Sequence, residues 1–155
     1  MDKHLSADAE IEQIAVAYIR RHCMNLEEWK FTTLGALHAS LNKLFQLDAG
    51  ERILVSSYRS LDSWYVFTTR RIVSVYQGKR SQIDPRQEFD SNFGNFKGYE
   101  GRKAGSKAVE IGTITTKSAE LAFEFETLYA SMAPIYACRF WQSRKGITWR
   151  HQRQV

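Results

Sequence analysis

Between Trp64 and Tyr76 the chain reads Trp-Tyr-Val-Phe-Thr-Thr-Arg-Arg-Ile-Val-Ser-Val-Tyr, and no other segment constrains the fold as strongly. Aromatic and β-branched side chains suit a pleated, half-buried surface, and here they are broken only by the polar tetrad Thr68-Thr69-Arg70-Arg71. The segment therefore predicts a β-hairpin with its turn at the tetrad. Tyr65 and Phe67 alternate in the first arm, and Ile72 and Val73 open the second.

The periodicity of the chain changes at Gly50. Before it, Ser6 reads as the cap of a first helix whose early Asp8 and Glu10 suit the positive end of the helix dipole. Ile11, Ile14, Ala15, Tyr18 and Ile19 would form its buried stripe. Leu34, Leu37, Leu41, Leu44 and Phe45 recur at three and four, which predicts a second helix starting after Thr32 or Thr33 and ended by Asp48-Ala49-Gly50. After Gly50 the pattern alternates. Arg52 to Tyr58 predicts a strand, and Ala108 to Thr116 with Glu120 to Glu126 an antiparallel pair in which Leu121, Phe123 and Phe125 share one face. Between Lys79 and Lys107, Gly, Pro, Asn and basic residues predict short strands and long loops with Phe89, Phe93, Phe96 and Tyr99 turned inward. A last helix is predicted from about Leu128 to Arg144, with Tyr129, Met132, Ala133, Tyr136 and Phe140 on one stripe and Gly146 at its end. Pro134 either kinks it or places its start later.

With 155 residues the chain is expected to form one domain, able to bury about two thirds of its unfolded surface. Hydrophobic residues at 43% and charged residues at 25% separate it from disordered chains. Cys23 and Cys138 are the only cysteines, and Met1 to Glu10 is polar, so a reducing cytoplasm is the expected compartment. No apolar run approaches the ~18 residues a membrane span requires.

Gly50-Glu51-Arg52-Ile53-Leu54, the later Thr68-x-x-Arg71-Ile72-Val73, the Lys97-Gly98 pair and the closing amphipathic helix together resemble bacterial PH-like and GRAM-like domains. The resemblance covers roughly Gly50 to Arg144. It implies that the Thr-x-x-Arg turn joins the second and third strands, and that two bent sheets form a small antiparallel barrel or sandwich with the helix plugging one open end. The expected architecture is thus α+β: about seven strands, a C-terminal helix, and two extra N-terminal helices. Residues 1–49 would form a helical extension packed on a β module at 50–145, with a basic tail at 146–155.

No constellation in the sequence points to catalysis. His4, His22, His38 and His151 lack metal-ligand spacing, and the glycine-rich run from Gly98 to Lys107 fits neither the Walker loop nor the dinucleotide fingerprint. Glu88 and Asp90 are paired carboxylates without a base or nucleophile beside them. No cofactor is called for, and the reading is a non-enzymatic protein-binding module, such as an immunity-type inhibitor or adaptor.

The charge placement proposes partners. From Arg70 to Lys107 nine Lys/Arg face four Asp/Glu, and from Arg139 to Val155 five face none, whereas from Ala108 to Cys138 one faces four. Glu120, Glu124 and Glu126 are candidate contacts to a basic protein such as a toxin. Lys79, Arg80, Arg102, Lys103 and Lys107 are candidate contacts to an anionic ligand, with peripheral binding to acidic lipid as the alternative. A further alternative is nucleic-acid binding through the basic tail, with Trp141 and Trp149 as stacking groups.

Overall fold

The structure, a computed structural model, describes residues 3–153, with side chains for residues 7–143. Helix α1 (Lys3–Arg20) buries Ile11, Ala15 and Ile19, spaced four apart on one face, against the C-terminal helix and the second strand. Ile14 is exposed instead, and Ser6 lies inside α1 rather than capping it.

Among the described residues eight strands follow, in two antiparallel sheets. β1 (Thr32–Leu34), β2 (Ile53–Ser60), β3 (Ser63–Thr68), β4 (Ile72–Tyr76) and β5 (Lys79–Ile83) form a five-stranded sheet in chain order. β6 (Asp90–Asn92), β7 (Val109–Thr115) and β8 (Glu120–Glu126) form the second sheet. The aromatic hairpin is β3–β4, with Tyr65 opposite Ser74 and Phe67 opposite Ile72 around the Thr68–Arg71 turn. Alternation in β8 is also as read: Leu121, Phe123 and Phe125 are buried while Ala122, Glu124 and Glu126 are half-buried. Helix α2 (Met132–Arg153) closes the chain after a 3-10 turn at Leu128–Ser131.

The main core lies between the sheets and is closed by the helices. Leu54, Tyr65, Phe67 and Ile72 meet Ile114, Leu121, Phe123 and Phe125, and α1 and α2 add Ile19, Ala137, Phe140 and Trp141. Tyr65 and Phe123 cross at 5.0 Å between centroids and 61°, an edge-to-face contact. Gly112 sits opposite Phe123, where a Cβ would stand 2.8 Å from the ring's Cζ.

Three features depart from the sequence-based expectation. There is no closed barrel: the two sheets stay separate, and β8 packs across β3, β4 and β5 through side chains instead of extending their ladder. Beyond β5 the chain turns away at Asp84-Pro85-Arg86, where Pro85 has no N–H for another strand pair. The second N-terminal helix is also absent. Thr32 to Leu34 pairs with Ser57 to Val55, and Gly35 follows at a φ of 75°. Only one 3-10 turn, Ala39–Leu41, forms beyond it, so the leucine periodicity serves burial without a helix. Leu41 and Phe45 pack with Ile53, Trp64, Val66, Val73 and Val75 in a second cluster over the outer face of the five-stranded sheet. Residues 1–49 therefore contribute an edge strand and a covering segment as well as one helix.

The third departure concerns the C-terminal helix. It continues through Gly146 to Arg153, so the expected tail is helical up to that residue, and Gln154 and Val155 lie outside the described residues. Pro134 is accommodated in the first turn of α2, where a missing N–H costs no helical hydrogen bond.

Candidate functional site

Two places in the fold gather polar chemistry, and they differ in kind. The first is the β3–β4 turn, where every side chain of the tetrad is committed. Thr68 Oγ1 accepts from the N–H groups of Arg70 (3.0 Å) and Arg71 (2.9 Å) and donates to Glu51 Oε2. Arg71 holds Glu51 through Nε (2.9 Å) and Nη2 (3.0 Å) and also donates to the Gln46 carbonyl. Arg70 reaches Asp8 of α1 at 2.7 Å, and Thr69 Oγ1 donates to the same carboxylate at 2.7 Å. Burial alone would raise the Glu51 carboxyl, but hydrogen bonds from Arg71, Thr68 and the Asp48 N–H, with the Arg71 charge, outweigh it and hold it below its ordinary value. The hydrogen bonds that Arg70 donates to the Asp8 carboxylate raise it against its own partial desolvation. With its donors and acceptors turned on one another, the turn is a junction tying α1 and the segment before β2 to the hairpin.

The second place is a cleft of about 780 Å³ between β6, the loop after it, and α2. This is within the usual range of ligand pockets, roughly 300–1,000 Å³. Phe93 and Phe96 from the loop and Met132, Ile135 and Tyr136 from α2 make its apolar lining, while Lys97 and Arg139 are exposed at it. Tyr136 is fixed by its neighbours: the His22 ring of the α1 end stacks parallel on it at 3.8 Å, and the Arg139 guanidinium lies 5.1 Å from its centroid. Neither Lys97 nor Arg139 forms an ion pair among the described residues.

One side of β6 faces this cleft without a partner strand. Its other side pairs with β7, Ser91 opposite Ile114. Gln142 of α2 donates to the Phe89 carbonyl at 3.3 Å, which marks the open side. Strand alternation directs the N–H and C=O of Ser91 to that same side. The arrangement offers main-chain hydrogen bonding, an apolar floor and two cations, set against the one exposed carboxylate of Asp90, to one extended segment.

The residues singled out from sequence fall elsewhere. Lys79 and Arg80 lie on β5, where Arg80 covers the Trp64 indole (5.5 Å) and donates to the Leu44 carbonyl. Arg102, Lys103 and Lys107 lie on the β6–β7 connection; Lys107 pairs with Glu110 at 3.2 Å, and Arg102 and Lys103 are exposed near its tip. No hydrogen bond or ion pair links the two groups among the described residues. Tyr99 of this connection is exposed instead of turned inward. Glu126 faces its own chain, accepting from the N–H groups of Lys30 (2.8 Å) and Phe31 (2.9 Å) and from Thr32 Oγ1 (2.9 Å). Glu124 is paired with Arg59 at 2.9 Å, and Glu120 is exposed at the start of β8. Trp141 is fully buried and cannot stack on a base, and the Trp149 side chain lies outside the described residues.

Neither thiol is a ready nucleophile. Burial pushes Cys23 up to about 11 against the opposing Arg20 charge, and it raises the fully buried Cys138 further. Among the described residues no group of three His, Cys, Asp or Glu side chains could hold a metal ion, and no helix is long and apolar enough to cross a membrane. The cleft residues were visible only singly in the sequence. Phe93 and Phe96 stand three apart, and Met132, Ile135, Tyr136 and Arg139 recur at three and four, but nothing local says that the two sets meet.

No family model, no curated protein and no solved structure matches this chain.

Proposed function

We propose that this protein is a non-enzymatic protein-binding module, acting in the cytoplasm, whose β6–α2 cleft takes an extended, acidic and partly apolar segment of a partner. The observation that supports the reading best is the coincidence, in one cleft, of an unpaired strand edge, an aromatic floor and two cations without carboxylate partners. Strand addition supplies affinity through the main chain, while pockets for alternate side chains supply specificity. The PH-like and GRAM-like resemblance is part of this proposal, because domains of that kind use sheet edges and loops for protein contact. An immunity-type role fits if the inhibited protein presents such a segment. A basic toxin held by Glu124 and Glu126 fits less well, since both carboxylates serve the protein's own structure.

Selection of a random linear-peptide library against the immobilised protein tests the proposal. Enriched peptides should carry apolar residues beside Asp or Glu and should shift the amide signals of Ser91, Phe93 and Arg139. The double variant Lys97→Glu/Arg139→Glu should weaken them about tenfold or more, the scale of losing one charge-assisted hydrogen bond. An unenriched library, or peptides that shift only amides remote from the cleft, would refute it.

A further inference from the structure

A smaller recess lies on another part of the surface, where the segment before β1 meets the end of β8. Its volume is about 220 Å³, below the range of drug-sized pockets and suited to a single side chain or a small headgroup. Trp29, Phe31 and Tyr129 give it three aromatic walls, and Leu128 adds an aliphatic one. Glu28 at the rim brings a carboxylate, and Glu126, whose oxygens already accept from Lys30, Phe31 and Thr32, adds its negative charge from the wall, against the one ammonium of Lys30.

The walls are held in place. Trp29 donates its indole N–H to the Met24 carbonyl at 3.1 Å, and three hydrogen bonds from Lys30, Phe31 and Thr32 orient the Glu126 carboxylate. Gly105 on the far side holds a φ of 80°, the left-handed region that favours glycine. One of the walls already shows the same recognition within the chain: the Arg59 guanidinium lies 6.0 Å from the Phe31 ring centroid and pairs with the Glu124 carboxylate. Aromatic rings beside carboxylates attract ammonium cations, because the negative face of the ring quadrupole adds to the attraction of the carboxylate charge.

We infer that this recess binds an alkylammonium group, either a free quaternary ammonium or a lysine side chain of a partner. The site is separate from the β6–α2 cleft and does not depend on how that cleft is used.

The experiment is an amide and indole NMR titration of the full chain with choline chloride and, in parallel, with Nα-acetyl-lysine methylamide. Sodium chloride and the uncharged carbon isostere of choline serve as controls. The Trp29 indole N–H and the Ala130 amide should shift saturably with the cations and not with the controls. Tyr129→Leu, at an exposed wall, and Glu28→Gln, at the rim, should each weaken binding roughly 2- to 30-fold, the range of a cation–π contact. Saturation by choline alone assigns a free quaternary ammonium, and saturation by the lysine derivative assigns a partner's side chain. Shifts that never saturate, that the isostere reproduces, or that survive both substitutions unchanged overturn the inference.

Discussion

Replacing Glu51 with glutamine tests whether an ion pair holds the β3–β4 turn to the rest of the fold. The Glu51 side chain is 0% exposed and that of Arg71 17%, so the substitution leaves a nearly buried guanidinium facing a neutral amide. Breaking a buried pair from one side costs about 3–5 kcal/mol. Arg71 keeps its bond to the Gln46 carbonyl and its position 4.7 Å from the Phe45 ring centroid, which places the loss near the lower end, about 3 kcal/mol. For a chain of this size that lowers the melting temperature by roughly 6–12 °C. The pH dependence follows from the lowered Glu51 carboxyl. A depressed folded value adds stability that is fully present above the unfolded value, near 4.5, and is lost as pH falls through the folded one. Urea unfolding followed by circular dichroism should therefore show the full gap between the wild type and Glu51→Gln near neutrality, narrowing in acid below 4.5. The double variant Glu51→Gln/Arg71→Met should lose less than Glu51→Gln alone, because it removes the unpaired charge. A neutral-pH loss under about 1 kcal/mol, the scale of an exposed pair, would refute the reasoning, as would a gap unchanged in acid.

Two further substitutions probe the packing between the sheets and the anchoring of β1. Gly112→Ala drives a methyl to within 2.8 Å of Phe123 Cζ, and the ring has Tyr65 at 5.0 Å and Phe93 at 5.9 Å around it. Overpacking of this kind should cost about 1–3 kcal/mol in urea unfolding, and an unchanged midpoint would mean that the ring has room to move. Glu126→Gln removes the charged acceptor of the Lys30 and Phe31 N–H groups, worth about 1.5–3 kcal/mol. Faster hydrogen exchange at the Phe31 amide would accompany that loss, whereas unchanged exchange would show that β1 is held by its ladder alone.

How much of the fold was legible depended on whether one face or two were buried. In β8 the outer face is only partly covered, so Leu121, Phe123 and Phe125 alternate cleanly with Ala122, Glu124 and Glu126 and could be read directly. The hairpin was legible for a different reason: its turn residues are polar and its arms are not. β1 was not legible, because it is three residues long and is followed by leucines spaced as in a helix. Leu41 and Phe45 bury their side chains across a sheet that only long-range pairing builds, and no local pattern encodes that destination. The cleft was hidden by the same distance, since Phe93 and Tyr136 come to one place only where α2, packed on α1, reaches the start of β6 through Gln142.

The burial of the five-stranded sheet also bears on where a partner can dock. All six residues of β3 are buried, because one face meets β8 and the helices while the other lies under Leu41 and Phe45. A ligand laid on either face of its central strands would have to displace a packed hydrophobic layer, at about 1.5–3 kcal/mol for each large side chain uncovered. Contact is thereby driven to edges and ends. β5 presents Lys79, Arg80 and Gln82, all exposed, and charged side chains on an edge oppose the addition of another strand. β6 is shorter, but it lies beside a cleft with an apolar lining that would shield added main-chain hydrogen bonds from water, and in the proposed function Lys97 and Arg139 would select the charge of what enters. Of these two among the four edge strands, the one with less strand to offer is the one the proposed partner segment would use, because its surroundings would reward an incoming chain instead of repelling it.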